Sequence, residues 1–236
     1  MPYGITILDQ IAFGWFLLAW GLYNLAFDYL PRARFAINHH LKALRRCWVE
    51  RMLGRDNRVM DSMMLGHAMH SVTFFASTSM IILAGLAGLL GGIDSVQRLV
   101  ASLAFAEPAS RELFELKVLL LAGIFVYAFL KFTWSIRQLN YALVLLGAMP
   151  PPPVPPAIAV SWAVNTAEVL SRAIVSQNAG IRAYYFSLAA VAWMIGPTLF
   201  LIVTTCMVGV LVRRQLWSNT FRAIRRQAAI SVPPSV

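Results

Sequence analysis

"AYYFSLAAVAWMIGPTLFLIVTTCMVGVLV", Ala183–Val212, runs thirty residues without a formal charge. A helix needs about 20 mainly apolar residues to cross a bilayer, so this stretch holds one crossing with length to spare for tilt. Gly196-Pro197 lies near its middle. Proline removes a backbone donor and crowds the preceding turn, so a kink is expected there. One kinked span is the leading reading and a re-entrant segment the alternative. The choice sets the number of crossings, and therefore the side on which the C-terminal tail emerges.

Three other stretches meet the same requirement. Ile5–Leu30 has no charge between Asp9 and Asp28, His70–Gly91 is uncharged apart from its histidine, and Phe114–Phe132 contains Glu115, Lys117 and Lys131 within a mainly apolar run. Transmembrane helices are therefore expected at 5–30, 70–91, 114–132 and 183–212, as an all-α four-transmembrane-helix bundle in a single membrane domain, 1–236. Composition agrees. The chain is 59% hydrophobic and 13% charged, whereas a soluble domain carries about 25% charged residues.

The connections are structured as well. Ile37, Leu41, Leu44, Trp48 and Met52 recur at helical spacing, interleaved with Lys42, Arg45, Arg46 and Arg51. This predicts a basic amphipathic helix over 35–53, its cations facing anionic lipid. The second and third crossings are expected to extend into the cytoplasm as continuous helix, the third stopping at the proline-rich spacer 150–156. Asp61 and Arg137 are expected to pair across these extensions. Ala157–Asn178 then resumes helical spacing, with Gly180 before the last crossing.

Basic residues orient the chain. Arg32, Arg34, Lys42, Arg45, Arg46, Arg51, Arg55 and Arg58 fill one loop, and no basic residue precedes the first helix. The positive-inside rule puts that loop in the cytoplasm and the N-terminus outside. Four crossings then leave the tail, with Arg213, Arg214, Arg222, Arg225 and Arg226, on the wrong side. Either the tail disobeys the rule, or the fourth segment is re-entrant, or another segment spans. The extra candidate, Ala157–Ile174, contains Glu168 and Arg172 and is weak, so four crossings are kept. The net charge of +10 borders apolar segments, so anionic lipids and not nucleic acid are the expected partners. "MPYGITILDQ" lacks the basic start of a secretory signal peptide, so the first apolar run is expected to be retained.

Charged groups in membrane helices are costly and are candidate sites by default. An outer layer holds Asp9, Glu112, Glu115 and Lys117, and an inner layer holds Asp28, His70, Lys131 and Arg182. His70, Thr73 and Ser77 share a helix face. With Asp28, Lys131 and Arg182 they are the pathway or polar-layer candidates, although helix-end cations also snorkel without further role. Ala84, Gly88 and Gly92 form a small-residue packing stripe, inside the bundle or between subunits. His39-His40 point apart on a helix, His67 and His70 lack a ligand set from the opposite side, and Cys47 and Cys206 have no metal spacing. No catalytic residue, metal site or cofactor is expected.

"RDNRVMDSMMLGHAMHSVTFFASTSMIILAG" (55–85), "ELKVLLLAGIFVYAFLKFTWSIRQLNY" (115–141) and "GIRAYYFSLAAVAWMIGP" (180–197) resemble the signature blocks of the domain of unknown function 599 family of bacterial and plant proteins. The resemblance runs to "VRRQLW" (212–217) and implies a multi-pass protein, here of a bacterial inner membrane, without implying an activity. An oligomeric channel or carrier for a small ion or anion is the leading functional expectation. An accessory or scaffold subunit of a larger membrane complex comes second, and a haem- or metal-dependent redox protein third.

Overall fold

Thr6 starts the first helix by a capping box: its Oγ1 accepts from Asp9 N at 3.1 Å, and Asp9 Oδ2 accepts from Thr6 N at 3.1 Å. This satisfies two end groups that a helix leaves open. From there the computed structural model, which describes residues 5–29, 37–104, 106–107 and 109–231, contains helices and no strand among those residues. The helices are α1 (Ile7–Asn24), α2 (Ile37–Leu53), α3 (Val59–Gly91), α4 (Ile93–Ala101), α5 (Arg111–Gly147), α6 (Pro156–Ile195), α7 (Pro197–Leu216) and α8 (Asn219–Ser231). A π-helical turn, Leu25–Tyr29, extends α1 and carries Asp28. Leu30, Arg32, Arg34 and the first residues of the expected 35–53 helix lie outside the described residues.

Five helical segments, not four, are long and apolar enough to cross a membrane by length and composition: Ile7–Asp28, Val59–Gly91, Arg111–Gly147, Pro156–Ile195 and Pro197–Ser231. The extra one comes from the stretch 183–212. It is not a single kinked helix, because α6 ends at Ile195 and α7 begins at Pro197. Along one helix, residues seven apart are separated by about 10.5 Å of rise, yet the rings of Trp193 and Phe200 stack with centroids 5.0 Å apart. Phe16 of α1 touches both Phe186 and Phe200, and Trp15 Nε1 donates to Thr205 Oγ1 at 3.1 Å. The chain therefore doubles back at Gly196.

The reversal has a local cause. Pro197 suits the first position of α7, where no intrahelical donor is needed. Gly196 suits the close approach there: a Cβ would meet Glu107 Oε1 at 3.0 Å and Cδ at 3.2 Å, so the Glu107 side chain would have to shift. Glu107 N in turn donates to Ile195 O at 2.8 Å, binding one of the carbonyls that the end of α6 leaves open. Gly180, expected before a separate crossing, instead lies within α6.

The chain forms two compact units. The first comprises 1–25, 76–130 and 179–211, and its core is aromatic: Phe16 and Phe186 are fully buried, and Trp20 stacks on Phe186 at 5.3 Å. The second comprises 26–75, 131–178 and 212–236. In it α2 packs on α8, where the His40 and Phe221 rings lie 5.7 Å apart. The apolar side of α2 is thus turned to protein, with Val49, Met52 and Leu53 buried. The end of α5 is clamped by Arg58, which donates to Met149 O at 3.1 Å and Pro150 O at 2.7 Å. Helix α5 gives out there because proline follows, as the sequence indicates.

Candidate functional site

The most enclosed charges in the first unit are Asp9, 3% exposed, and Lys117, 2% exposed. Trp193 joins them. Its indole Nε1 donates to Asp9 Oδ1 at 2.8 Å, and the Lys117 ammonium lies over its ring, 5.5 Å from the centroid. Asp9 also accepts from Thr6 Oγ1 at 2.7 Å, so both carboxylate oxygens are occupied. Lys117 is within electrostatic reach of Asp9 and of Glu107. A lysine on an aromatic face gains cation–π attraction where water is excluded, and the carboxylate nearby offsets the burial of its charge. The sequence placed Asp9 and Lys117 in one outer layer but gave no sign of Trp193 between them, since a tryptophan in an apolar helix carries no such mark.

The inner-layer candidates separate. Asp28, His70 and Lys131 belong to the second unit and Arg182 to the first. Arg182 is buried, its guanidinium 5.9 Å from the centroid of the Tyr23 ring. Lys131 and Asp28 are partly exposed, and His70 is exposed. On α3, Thr73 and Ser77 are exposed as well, so this polar row points away from the protein's own core. Ala84, Gly88 and Gly92 are likewise exposed, and a Cβ added at Gly88 or Gly92 would meet nothing within 4 Å. Among the described residues, nothing covers the small-residue stripe.

The cations of α2 are engaged mostly with protein. Lys42 pairs with Glu168 at 2.5 Å and Arg46 with Glu50 at 2.9 Å, while Arg45 Nε donates to Ser171 Oγ at 3.0 Å. Burial pushes the Arg45 guanidinium below its ordinary range. Arg51 is exposed. Asp61, fully buried, accepts from Trp48 Nε1 at 2.7 Å and Arg55 at 2.6 Å. Its expected partner Arg137 instead donates to the Tyr141 hydroxyl at 2.9 Å. Among the described residues no group of three or more His, Cys, Asp or Glu side chains is arranged to hold a metal ion.

Five membrane-length apolar helices and an enclosed aspartate–tryptophan–lysine cluster are features of a multi-pass membrane protein. A family model described as "Protein of unknown function, DUF599" matches residues 11–220, and the chain belongs to that family. No curated protein and no solved structure matches the chain.

Proposed function

We propose that the chain is a five-crossing membrane protein that assembles through α3 into an oligomeric channel or carrier for a small ion or anion. One observation carries this reading: the outward face of α3 bears His70, Thr73 and Ser77 followed by Ala84 and Gly88, all exposed in the single chain. Lipid gives hydroxyls and glycines little, whereas neighbouring helices approach closely over small residues and bond to polar ones. Repeated around an axis, this face supplies a tight seam and a polar lining together. Lys131 is partly exposed on α5, and we assign its positive charge to the path as the basis for favouring an anion.

Five crossings also reconcile the charges. With the N-terminus outside, the loop before α3, the proline spacer and the tail after α7 all fall in the cytoplasm. Arg45, Arg55, Arg58, Arg137, Arg172, Arg213, Arg214, Arg222, Arg225 and Arg226 are then inside, with only Arg98, Arg111 and Lys117 towards the outer face.

The test is anion and proton flux into proteoliposomes for wild type, His70→Ala, Ser77→Ala and Lys131→Ala, with native mass spectrometry giving copy number. Flux by an oligomer, reduced by these substitutions, supports the reading. A monomer in native lipid without flux overturns it, and a stoichiometric second polypeptide would favour an accessory subunit.

A further inference from the structure

The last acidic side chain in the sequence is Glu168, and seven arginines follow it. Five of them gather where α7 gives way to α8: Arg213, Arg214, Arg222, Arg225 and Arg226, all exposed. Among the described residues the ion pairs all lie elsewhere, and no carboxylate meets Arg213, Arg222, Arg225 or Arg226. Arg222 and Arg226 donate locally, to Asn219 Oδ1 at 2.6 Å and to Arg222 O at 3.4 Å. Like charges four apart on a helix face destabilise it, so these two call for an anion from outside the chain. The cations of α2 differ, since Glu168 and Glu50 already neutralise Lys42 and Arg46.

We infer that the outward face of α8 docks on the anionic phospholipid headgroups of the bilayer, with Arg222 and Arg226 on the phosphates and Trp217 and Ile230 at the acyl boundary. The face is set by α2. Phe221 and Ala228 are buried and Ile224 is half-buried, which is the side turned to α2. At about 100° per residue, Arg226 lies opposite that side, with Arg222 and Ile230 flanking it. Ile230 is 80% exposed and Trp217 68% exposed. Arginines interleaved with bare apolar side chains are the surface of a helix lying in a membrane interface. Nucleic acid offers phosphates too, but no apolar layer for Ile230. Depth fits as well: the 20 residues of α7 rise about 30 Å, the thickness of a hydrocarbon core, which brings Trp217 to the interface that tryptophan favours. The lipid-binding part expected of α2 thus falls to α8.

The test is hydrogen exchange over 219–231 at one fixed pH, with the full chain in nanodiscs of phosphatidylcholine alone or mixed equally with phosphatidylglycerol. Both faces of a disc carry the same lipid, so the outcome does not depend on the number of crossings or on channel activity. Phosphatidylglycerol should slow exchange about fivefold for each arginine engaged, hence tenfold or more for two, and high salt should remove most of the effect. The double variant Arg222→Gln, Arg226→Gln should exchange like wild type in phosphatidylcholine and lose the slowing in the mixture, whereas Arg222→Lys, Arg226→Lys should keep it. Equal wild-type rates in the two discs overturn the inference without any variant. So does slowing that survives the glutamine substitutions or that the lysine pair also loses. Equal slowing by inorganic phosphate or by RNA in phosphatidylcholine discs would mark a soluble partner and overturn it as well.

Discussion

Asp9→Ala should unfold the first unit from its outer end, and the structure gives the size of the loss. The substitution removes the reciprocal cap with Thr6, worth about 1 kcal/mol. It also strands the buried Trp193 Nε1, at about 1–3 kcal/mol. A loss of about 2–4 kcal/mol follows before Lys117 is counted. Trp193→Phe keeps the stacking with Phe13 and Phe200 but deletes the donor, so it should cost about 1–2 kcal/mol. Because both changes break the same bond, the double variant should cost less than their sum by about 1 kcal/mol or more. Lys117→Met, added to Asp9→Ala, should recover part of the loss by removing a buried cation that has lost its carboxylate. SDS-titration unfolding of detergent-purified protein, followed by circular dichroism, measures all of these. Additivity of Asp9→Ala and Trp193→Phe within about 0.5 kcal/mol would refute a shared bond.

Three further outcomes are expected. In a chain freed of Cys47 and Cys206, a membrane-impermeant maleimide should label Thr198→Cys but not Thr220→Cys in intact cells; labelling of both, or only of Thr220→Cys, removes the fifth crossing. Arg58→Lys cannot reach the acceptors Met52 O, Met149 O and Pro150 O together; it should cost about 1–3 kcal/mol and speed proteolysis within 148–155, and unchanged cleavage would count against the clamp. Burial, His39 and Arg225 hold the His40 imidazole below its ordinary range, so its protonation opposes the folded state. The contact of α2 with α8 should hold above the ordinary pKa of about 6.5 and weaken as pH falls from there through the lower folded value. Hydrogen exchange over 219–231, corrected for intrinsic rates, should show this weakening in the wild type and not in His40→Gln.

Much of this architecture was legible because its signals are local. A proline run stops α5, and the Leu41, Leu44, Trp48 spacing marks α2. The fifth membrane-length helix was only faintly so, with Ala157–Ile174 a weak extra candidate, for a physical reason. The longest charge-free run of α6, Ala183–Ile195, is too short to span alone, and Glu168 and Arg172 make the preceding turns read as wet. Arg182 can nonetheless lie within the helix because its guanidinium is buried against the Tyr23 ring, a partner 159 positions away that no window of sequence contains. The reversal at Gly196 is hidden likewise, since Glu107, whose N–H binds Ile195 O there, lies 89 positions away from Gly196. Asp61 drew Arg55 and Trp48 in place of Arg137 because neighbours six and thirteen residues away reach it first.

Exposure alone says little in a membrane protein, where apolar side chains are expected to face lipid, so the contrast between helices carries the weight. The outward side of α1 shows Ile7, Ile11, Leu18 and Leu22, the bulky surface that acyl chains cover well. The outward side of α3 shows His67, His70, Thr73, Ser77, Ala84 and Gly88 interspersed with the large apolar Phe74 and Ile81. Two helices of one chain in one bilayer share the same solvent, so a difference in outward composition implies a difference in what covers them. Lipid suffices for α1. For α3, the polar half calls for hydrogen-bonding neighbours or water, and the small half for close backbone approach. A second copy of α3 would meet both demands at the same register, which is the ground for the assembly we propose.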